Sequence, residues 1–375
     1  MQKISLLLFF TFIYLPLHLL AQENETFTDP ASGISYQVEL VTPALFPVAM
    51  AFTDDGRIFY TEKNTGRVRL IRADGTQALE PVLTLATSSL QERGMLGIAL
   101  DPDYETNGYI WIYHTAEGTA KDYPSNRLIR FTEVDGIGSD PQIMLDMPIT
   151  NGQLLHNGGN MRFDENGLLY LSVGDYGDAS NSQNMDVPQG KIHRFAIEDD
   201  ALIPAEGNPF EGSSIYALGF RNPYDFAIDP INGQIITSEN GLWCDDEINL
   251  VLPRFNYGFS EDYECIGLDL IPGLTLYMPP MLSYTPTIGP SGLDIYSGEA
   301  FAEWTGDVFF CDWNFGELHH LKLDEARSAV LSETILELPA GVDCKIDVAV
   351  SPDGLIYFAT VGSDSGGIYR ISPAP

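Results

Sequence analysis

The chain repeats one short phrase six times: an apolar strand, a turn rich in Gly, Asp, Asn or Pro, and a second apolar strand. The turns begin near Thr53, Asp101, Asp164, Asp229, Ser297 and Ser351. Typical copies read VAMAF-TDDG-RIFYTEK, NMRF-DENG-LLYLSVGD and DVAV-SPDG-LIYFATV. A unit of this size cannot bury its apolar face alone, so the copies must stack or form a ring. The strands alternate or are almost wholly apolar, and are rich in Val, Ile, Phe and Tyr. Helices between strands would mark a parallel α/β sheet. None longer than a turn or two is expected, such as near 324–328. The pattern predicts an all-β fold, a six-bladed β-propeller. A pair of β-sandwiches would not require so regular a repeat. The last copy offers strands around 347–350, 355–360 and 367–371, and a fourth is available at 36–41. That N-terminal strand is predicted to complete the last blade, closing the ring and hiding a sheet edge.

Residues 1–21 read as a signal peptide: Lys3, an apolar run from 4 to 20 broken by Pro16 and His18, then Ala21. A membrane anchor would need a longer run without those breaks and a basic cluster after it. Residues 22–375 are then a single propeller domain, periplasmic or extracellular, with no stable membrane insertion after cleavage. Asn24-Glu25-Thr26 is a glycosylation sequon, meaningful only in a eukaryotic secretory host. Asp and Glu number 53 against 19 Lys and Arg, a net charge of −34. Such a surface repels nucleic acid and anionic lipid, so neither is an expected partner. Four cysteines in an exported chain suggest two disulfides, with three possible pairings. Cys244–Cys265 would close a local loop and Cys311–Cys344 would join neighbouring repeats. Their spacing does not suggest zinc.

Eight residues before each turn lie Leu45, Arg93, His156, Arg221, Gly289 and Asp343. In a propeller these occupy equivalent loops leading into the innermost strands, and all six loops face one end of the central channel. His156 stands in HNGG, where glycines permit a tight backbone that brings the imidazole close to a ligand. It is a candidate general base. A histidine bonding a loop carbonyl is the competing reading. Arg221 stands in GFRNPYDF, and its guanidinium suits an anionic or carbonyl-bearing ligand. It would otherwise lock two blades through a carboxylate. Glu92 beside Arg93 is placed to bond a polyol or to pair with its neighbour. The stretch ENGLWCDDE, with Asp245, Asp246 and Glu247, offers oxygen ligands suited to calcium. The loop GDYGDASNSQNMD, 174–186, reads as a solvated acidic loop. The chain has no GxSxG, HExxH or P-loop, nor a GxGxxG opening a helix. Serine hydrolase, zinc peptidase, NTPase and nicotinamide dehydrogenase readings lose support accordingly.

The ordered series ERGMLGIALDPDY, HNGGNMRFDENGLLYLSVGD, QGKIHRF, IYALGFRNPYDFAIDP, DDEINLVLPRFNYGF and IDVAVSPDGLIY resembles the soluble glucose/sorbosone dehydrogenases, also called aldose sugar dehydrogenases. The likeness runs from about residue 40 to residue 371. It implies a six-bladed propeller binding pyrroloquinoline quinone (PQQ) and calcium (Ca2+) over the channel. It also implies oxidation of a sugar at its anomeric carbon, with an external electron acceptor. By this resemblance His156 takes the proton from the C1 hydroxyl, and Arg221 stabilises charge developing on the quinone. Asn222 helps hold the cofactor, and Glu92 makes a polar contact. Gly241 and Leu242 carbonyls hold the calcium that touches the cofactor, while Asp246 and Glu247 fall at a second, structural calcium. The chain departs from the family pattern at Tyr224, where relatives carry glutamine, and at Asn314, where they carry lysine. Two arginines leading into the last blade are replaced by Cys344 and Ile346. The quinone bears three carboxylates, so these losses weaken its site, with Lys345 and Arg93 left to offset part of them. Two other functions are compatible with the chain: a quinone-free module binding glycans or a partner, and a calcium-dependent lactonase built on Glu92, Asn157 and Asp343.

Overall fold

The computed structural model describes residues 25–375 apart from 120, 121, 151, 270, 272, 275 and 363–365. The segment read as a signal peptide lies outside the described residues. Six antiparallel sheets surround one axis. Their innermost strands are Pro47–Phe52, Met95–Leu100, Met161–Phe163, Pro223–Ile228, Pro290–Ile295 and Asp347–Val350. Each is followed in space and in sequence by its own second, third and fourth strands, except in the last blade. There the order is Asp347–Val350, Ile356–Thr360, Gly367–Pro373 and then the N-terminal Ser35–Pro43. The two chain ends thus share one sheet, with Tyr36 opposite Pro373 and Leu40 opposite Tyr369. A short strand, Thr26–Thr28, adds a fifth.

The strand sequences fit these places. Inner strands are covered by a blade on each side, so PVAMAF and MLGIAL are buried almost throughout instead of alternating. The outer Ser35–Pro43 alternates, with Tyr36, Val38 and Thr42 turned inward. The apolar core is packed between neighbouring blades, and its largest cluster runs through the sixth, first, second and third blades. Register shifts interrupt the innermost strands of four blades near their beginnings. Such bulges bend a strand and re-aim its side chains beside a site. The 324–328 segment is a turn and not a helix, because Asp324 Oδ1 accepts the N–H groups of Ser328 and Ala329. The short α-helices are Tyr104–Asn107 and Ser180–Gln183. No helix among the described residues is long and apolar enough to cross a membrane.

Around the channel, buried aspartates clasp successive blades. Asp225 accepts Leu293 N–H at 3.0 Å, Asp294 accepts Val350 N–H at 2.8 Å, and Asp347 accepts Met50 N–H at 3.0 Å. The last bond joins residues 297 positions apart, across the closure of the ring. Of the three possible pairings the favoured one forms, with Cα separations of 6.0 Å for Cys244–Cys265 and 5.0 Å for Cys311–Cys344.

Candidate active site at the propeller axis

All six blades contribute to a cavity of about 500 Å³ at one end of the channel. One side chain from each shows the convergence: Lys63, Glu92, Asn157, Asn222, Trp313 and Lys345. Most of this wall comes from the leading loops and the starts of the innermost strands. The rest comes from the ends of the second strands, which return to the same face in an antiparallel sheet. Lys63, Asn240 and Trp313 stand at such ends, as does Asp175 behind the wall.

His156 lies beside this cavity, buried, with its neighbours Asn157 and Gly158 in the wall. Its backbone is left-handed, φ 55°, a conformation few non-glycine residues adopt. The bond between its N–H and Glu92 Oε2, 2.5 Å, holds it there. Its Nδ1 lies 2.6 Å from Asp175 Oδ1. A carboxylate can only accept at neutral pH, so Nδ1 carries the hydrogen and Nε2 is the basic nitrogen. Asp175 also donates its backbone N–H to the Arg221 carbonyl, 2.8 Å, and so ties the third and fourth blades together. Gly174 fits between them because a Cβ there would overlap the His156 carbonyl and come within 3.0 Å of Asn222 Oδ1.

Arg221 is half-buried, and its Nη1 donates to the Asn240 carbonyl at 2.9 Å. Glu239 Oε1 accepts the N–H groups of both Arg221, 2.6 Å, and Asn222, 3.2 Å. Asn222 Nδ2 donates to Asn240 Oδ1 at 3.0 Å. The Arg221-Asn222 loop is therefore fixed by the end of its own blade's second strand. Burial, with Glu247 opposite, pushes the Glu239 carboxyl well above its ordinary range despite those two amides.

A family model described as Glucose / Sorbosone dehydrogenase matches residues 45–370. The chain belongs to that family. It is 24% identical to quinoprotein glucose dehydrogenase B of Acinetobacter calcoaceticus, with 83% of this chain and 82% of the relative covered. It is 25% identical to an aldose sugar dehydrogenase of Escherichia coli, with 75% and 77% covered. The PQQ-bound aldose sugar dehydrogenase of Streptomyces coelicolor shares the fold, with a TM-score of 0.74, 22% identity, and 92% and 99% of the two chains covered.

For a glucose/sorbosone dehydrogenase, the cations at this cavity are the informative residues. Lys345 lines it, with Nζ 2.8 Å from Asp343 Oδ2. Lys63, which the leading-loop count passes over, lines it too; its Nζ lies 5.1 Å from the centre of the Phe46 ring and donates to Asn64 Oδ1 at 3.2 Å. Burial draws the Lys63 ammonium down and Glu92 pulls it back up. Arg93 instead lies behind the wall, where its Nη2 donates to the Gln153 carbonyl. Asn314 is exposed, next to the cavity-lining Trp313, and its Nδ2 donates to the Thr287 carbonyl at 2.9 Å. Tyr224 is in the wall; burial, then the Asp347, Asp225 and Glu92 carboxylates, keep its hydroxyl protonated as a donor.

The loop bearing Gly241 and Leu242 continues from the cavity-lining Asn240. Asp246 holds this loop, accepting Gly241 N–H at 2.8 Å through one oxygen and Ile288 and Gly289 N–H at 2.7 and 2.6 Å through the other. Glu247 is buried, and burial, with Asp245 and Asp246 adding to it, pushes its carboxyl up to about 8. Glu239 Oε2 and Asn249 Oδ1 on the neighbouring strand positions are buried without a hydrogen-bond partner among the described residues. Asp245 accepts from Tyr263, Ile266, Gly267, Ser283 and Thr285, anchoring the loop that the Cys244–Cys265 disulfide also ties. The oxygens a lactonase would need are engaged elsewhere: Glu92 with His156 N–H, Asn157 Oδ1 with Asn126 Nδ2, and Asp343 with Lys345.

Proposed function

We propose that this protein is an exported oxidoreductase that removes a hydride from the anomeric carbon of an aldose, using PQQ and calcium. The observation that carries the reading is the Asp175–His156 pair beside an axial cavity whose wall contains two ammonium groups. The Acinetobacter calcoaceticus relative is named a quinoprotein and the Streptomyces coelicolor structure a PQQ-bound form.

The cavity fits the group in size and donors. Its volume is in the range of small-molecule sites. Lys63 and Lys345 supply charge for carboxylates, Asn222, Asn240 and Tyr224 supply hydrogen bonds, and Trp313 supplies a flat wall. These residues would hold PQQ, with Gly241 and Leu242 carbonyls for calcium beside it. The unpartnered oxygens of Glu239 and Asn249 near Glu247 suit the second calcium. When bound, PQQ supplies the two-electron acceptor.

His156 does the proton work. Its Nε2 accepts the C1 hydroxyl proton as hydride leaves C1 with its electron pair, and the sugar becomes a lactone. Asp175 fixes the tautomer and stabilises the imidazolium. Arg221, held by Glu239 and Asn240, aims positive charge where negative charge develops. The disulfides support an oxidising compartment, in keeping with a signal peptide at 1–21.

The test is reconstitution of purified protein with PQQ and Ca2+, followed by assay of aldoses with a dye acceptor. Turnover is expected, and Lys63→Met should weaken PQQ binding about 10–100-fold, the loss of one charge-assisted hydrogen bond. Failure to bind PQQ in the presence of Ca2+ overturns the reading. Saturable glycan binding without turnover would move the protein to the binding modules.

A further inference from the structure

We propose that the turn between the second and third strands of the fifth blade is a binding site for a divalent transition metal ion, zinc foremost, ligated by Asp312, Glu317 and His319. One oxygen or nitrogen from each lies within 4.8 Å of the others. The set combines an imidazole with two carboxylates and has no sulfur. Nitrogen-and-oxygen sites suit zinc and its neighbours in the first transition row, whereas calcium takes oxygen alone. Asp312 ends the strand Val308–Asp312, and His319 lies in the next, Leu318–Leu323. Asp312 is fully buried and His319 nearly so, while Glu317 is exposed and gives the ion a path from solvent.

The two nitrogens of His319 are treated differently. Nδ1 lies 2.7 Å from Glu333 Oε1, and the same oxygen accepts the Tyr284 hydroxyl at 2.7 Å. The ring is stacked on Phe310 with centres 4.2 Å apart. A carboxylate on the far nitrogen and a packed ring are the support that metal-bound histidines usually have. Nε2 of the same ring lies 3.3 Å from Asp312 Oδ2. The two atoms attract only with a proton or a metal ion between them, and an ion binding here displaces that proton. The separation is longer than the roughly 2.7–2.9 Å of an imidazolium–carboxylate bond. Two ligand atoms about 2.0–2.2 Å from one tetrahedral zinc stand about 3.4 Å apart. Asp312 is also held ready: Oδ1 accepts Phe315 N–H at 2.6 Å and Oδ2 accepts Glu317 N–H at 2.9 Å. Water completes the coordination.

The ion would brace a working part of the molecule. Trp313, in the cavity wall, follows Asp312 directly, and Cys311 before it is tied to Cys344, the neighbour of Lys345. The proposal stands independently of the quinone.

Calcium-loaded protein, freed of transition metals by chelation, is titrated with Co2+ and then Zn2+. We expect the visible bands of a four-coordinate Co2+ at one equivalent, displaced by Zn2+ and not by excess Ca2+. Glu333→Gln leaves all three ligands and should weaken Zn2+ binding about 10–100-fold. Glu317→Gln, at an exposed position, should weaken it at least as much while the circular dichroism is unchanged. Absence of binding overturns the proposal, as does Zn2+ affinity unchanged in both variants. So does a His319 ring that NMR shows doubly protonated at neutral pH under saturating Zn2+, because a proton would then hold the place assigned to the metal.

Discussion

Asp175→Asn isolates the electrostatic part of the proposed proton transfer. The side chain accepts twice through Oδ1, from His156 Nδ1 and from Gly177 N–H, each at 2.6 Å. Asparagine can present an oxygen at the same place, so the neutral imidazole keeps its tautomer and both bonds survive in weaker form. The backbone links of residue 175 to Arg221 and Asn181 are untouched. The missing quantity is the negative charge beside the imidazolium. The difference between a charge-assisted and a neutral hydrogen bond is about 1–1.5 kcal/mol. Two unit charges roughly 4 Å apart at an effective dielectric constant near 20 interact by about 4 kcal/mol. At about 1.4 kcal/mol per decade these bracket a loss in kcat between about 10-fold and 10³-fold. KM and PQQ affinity should hardly move, because the imidazolium forms only in the chemical step. The assay is steady-state dye reduction by the PQQ- and Ca2+-loaded variant, with a separate PQQ titration. A kcat within about threefold of the parent, at unchanged PQQ affinity, would refute the role given to the Asp175–His156 pair.

Burial pushes the imidazoles of His114 and His193 down to about 4. His193 is held neutral, with Nε2 donating to the Pro188 carbonyl at 2.7 Å and Nδ1 facing Ser214 Oγ at 2.9 Å. Below about pH 6.5 the unfolded chain binds protons that these folded sites refuse, so their contribution to stability falls as pH falls towards 4. Urea melts at several pH values should show a slope shallower by up to about 1.4 kcal/mol per pH unit for His193→Gln, and an unchanged slope would contradict the assignment. The Cys311–Cys344 bond closes a loop of 33 residues between the fifth and sixth blades. Replacing both cysteines with alanine should lower unfolding free energy by about 2–4 kcal/mol in non-reducing denaturant melts, while the variant's Cys244–Cys265 loop is nicked by protease no faster than the parent's.

The blades themselves were legible before any coordinates, for a local reason. Strand, turn and return strand are contiguous, so turn chemistry and apolar pattern specify each meander within a few dozen residues. Thr53, Asp101, Asp164, Asp229 and Ser351 each directly follow an innermost strand. The closing strand was legible too, because a sequence with three strands in its last repeat and a spare one at its start has one economical way to hide both edges. Counting back from the turns located His156 and Arg221 as well, since equivalent loops of a repeat must face one end.

The ring alone decided which residues meet. His156 finds Asp175 19 positions on, across the end of a second strand that no spacing rule distinguished from an acidic loop. Lys63 and Lys345 reach one cavity from opposite ends of the chain, and Arg93, an equally good candidate by position, turns behind the wall. Glu239 and Glu247 become a buried facing pair only when their strands register. Side-chain direction at a loop end depends on how neighbouring blades pack, and that packing is a property of the closed circle, which no single repeat contains.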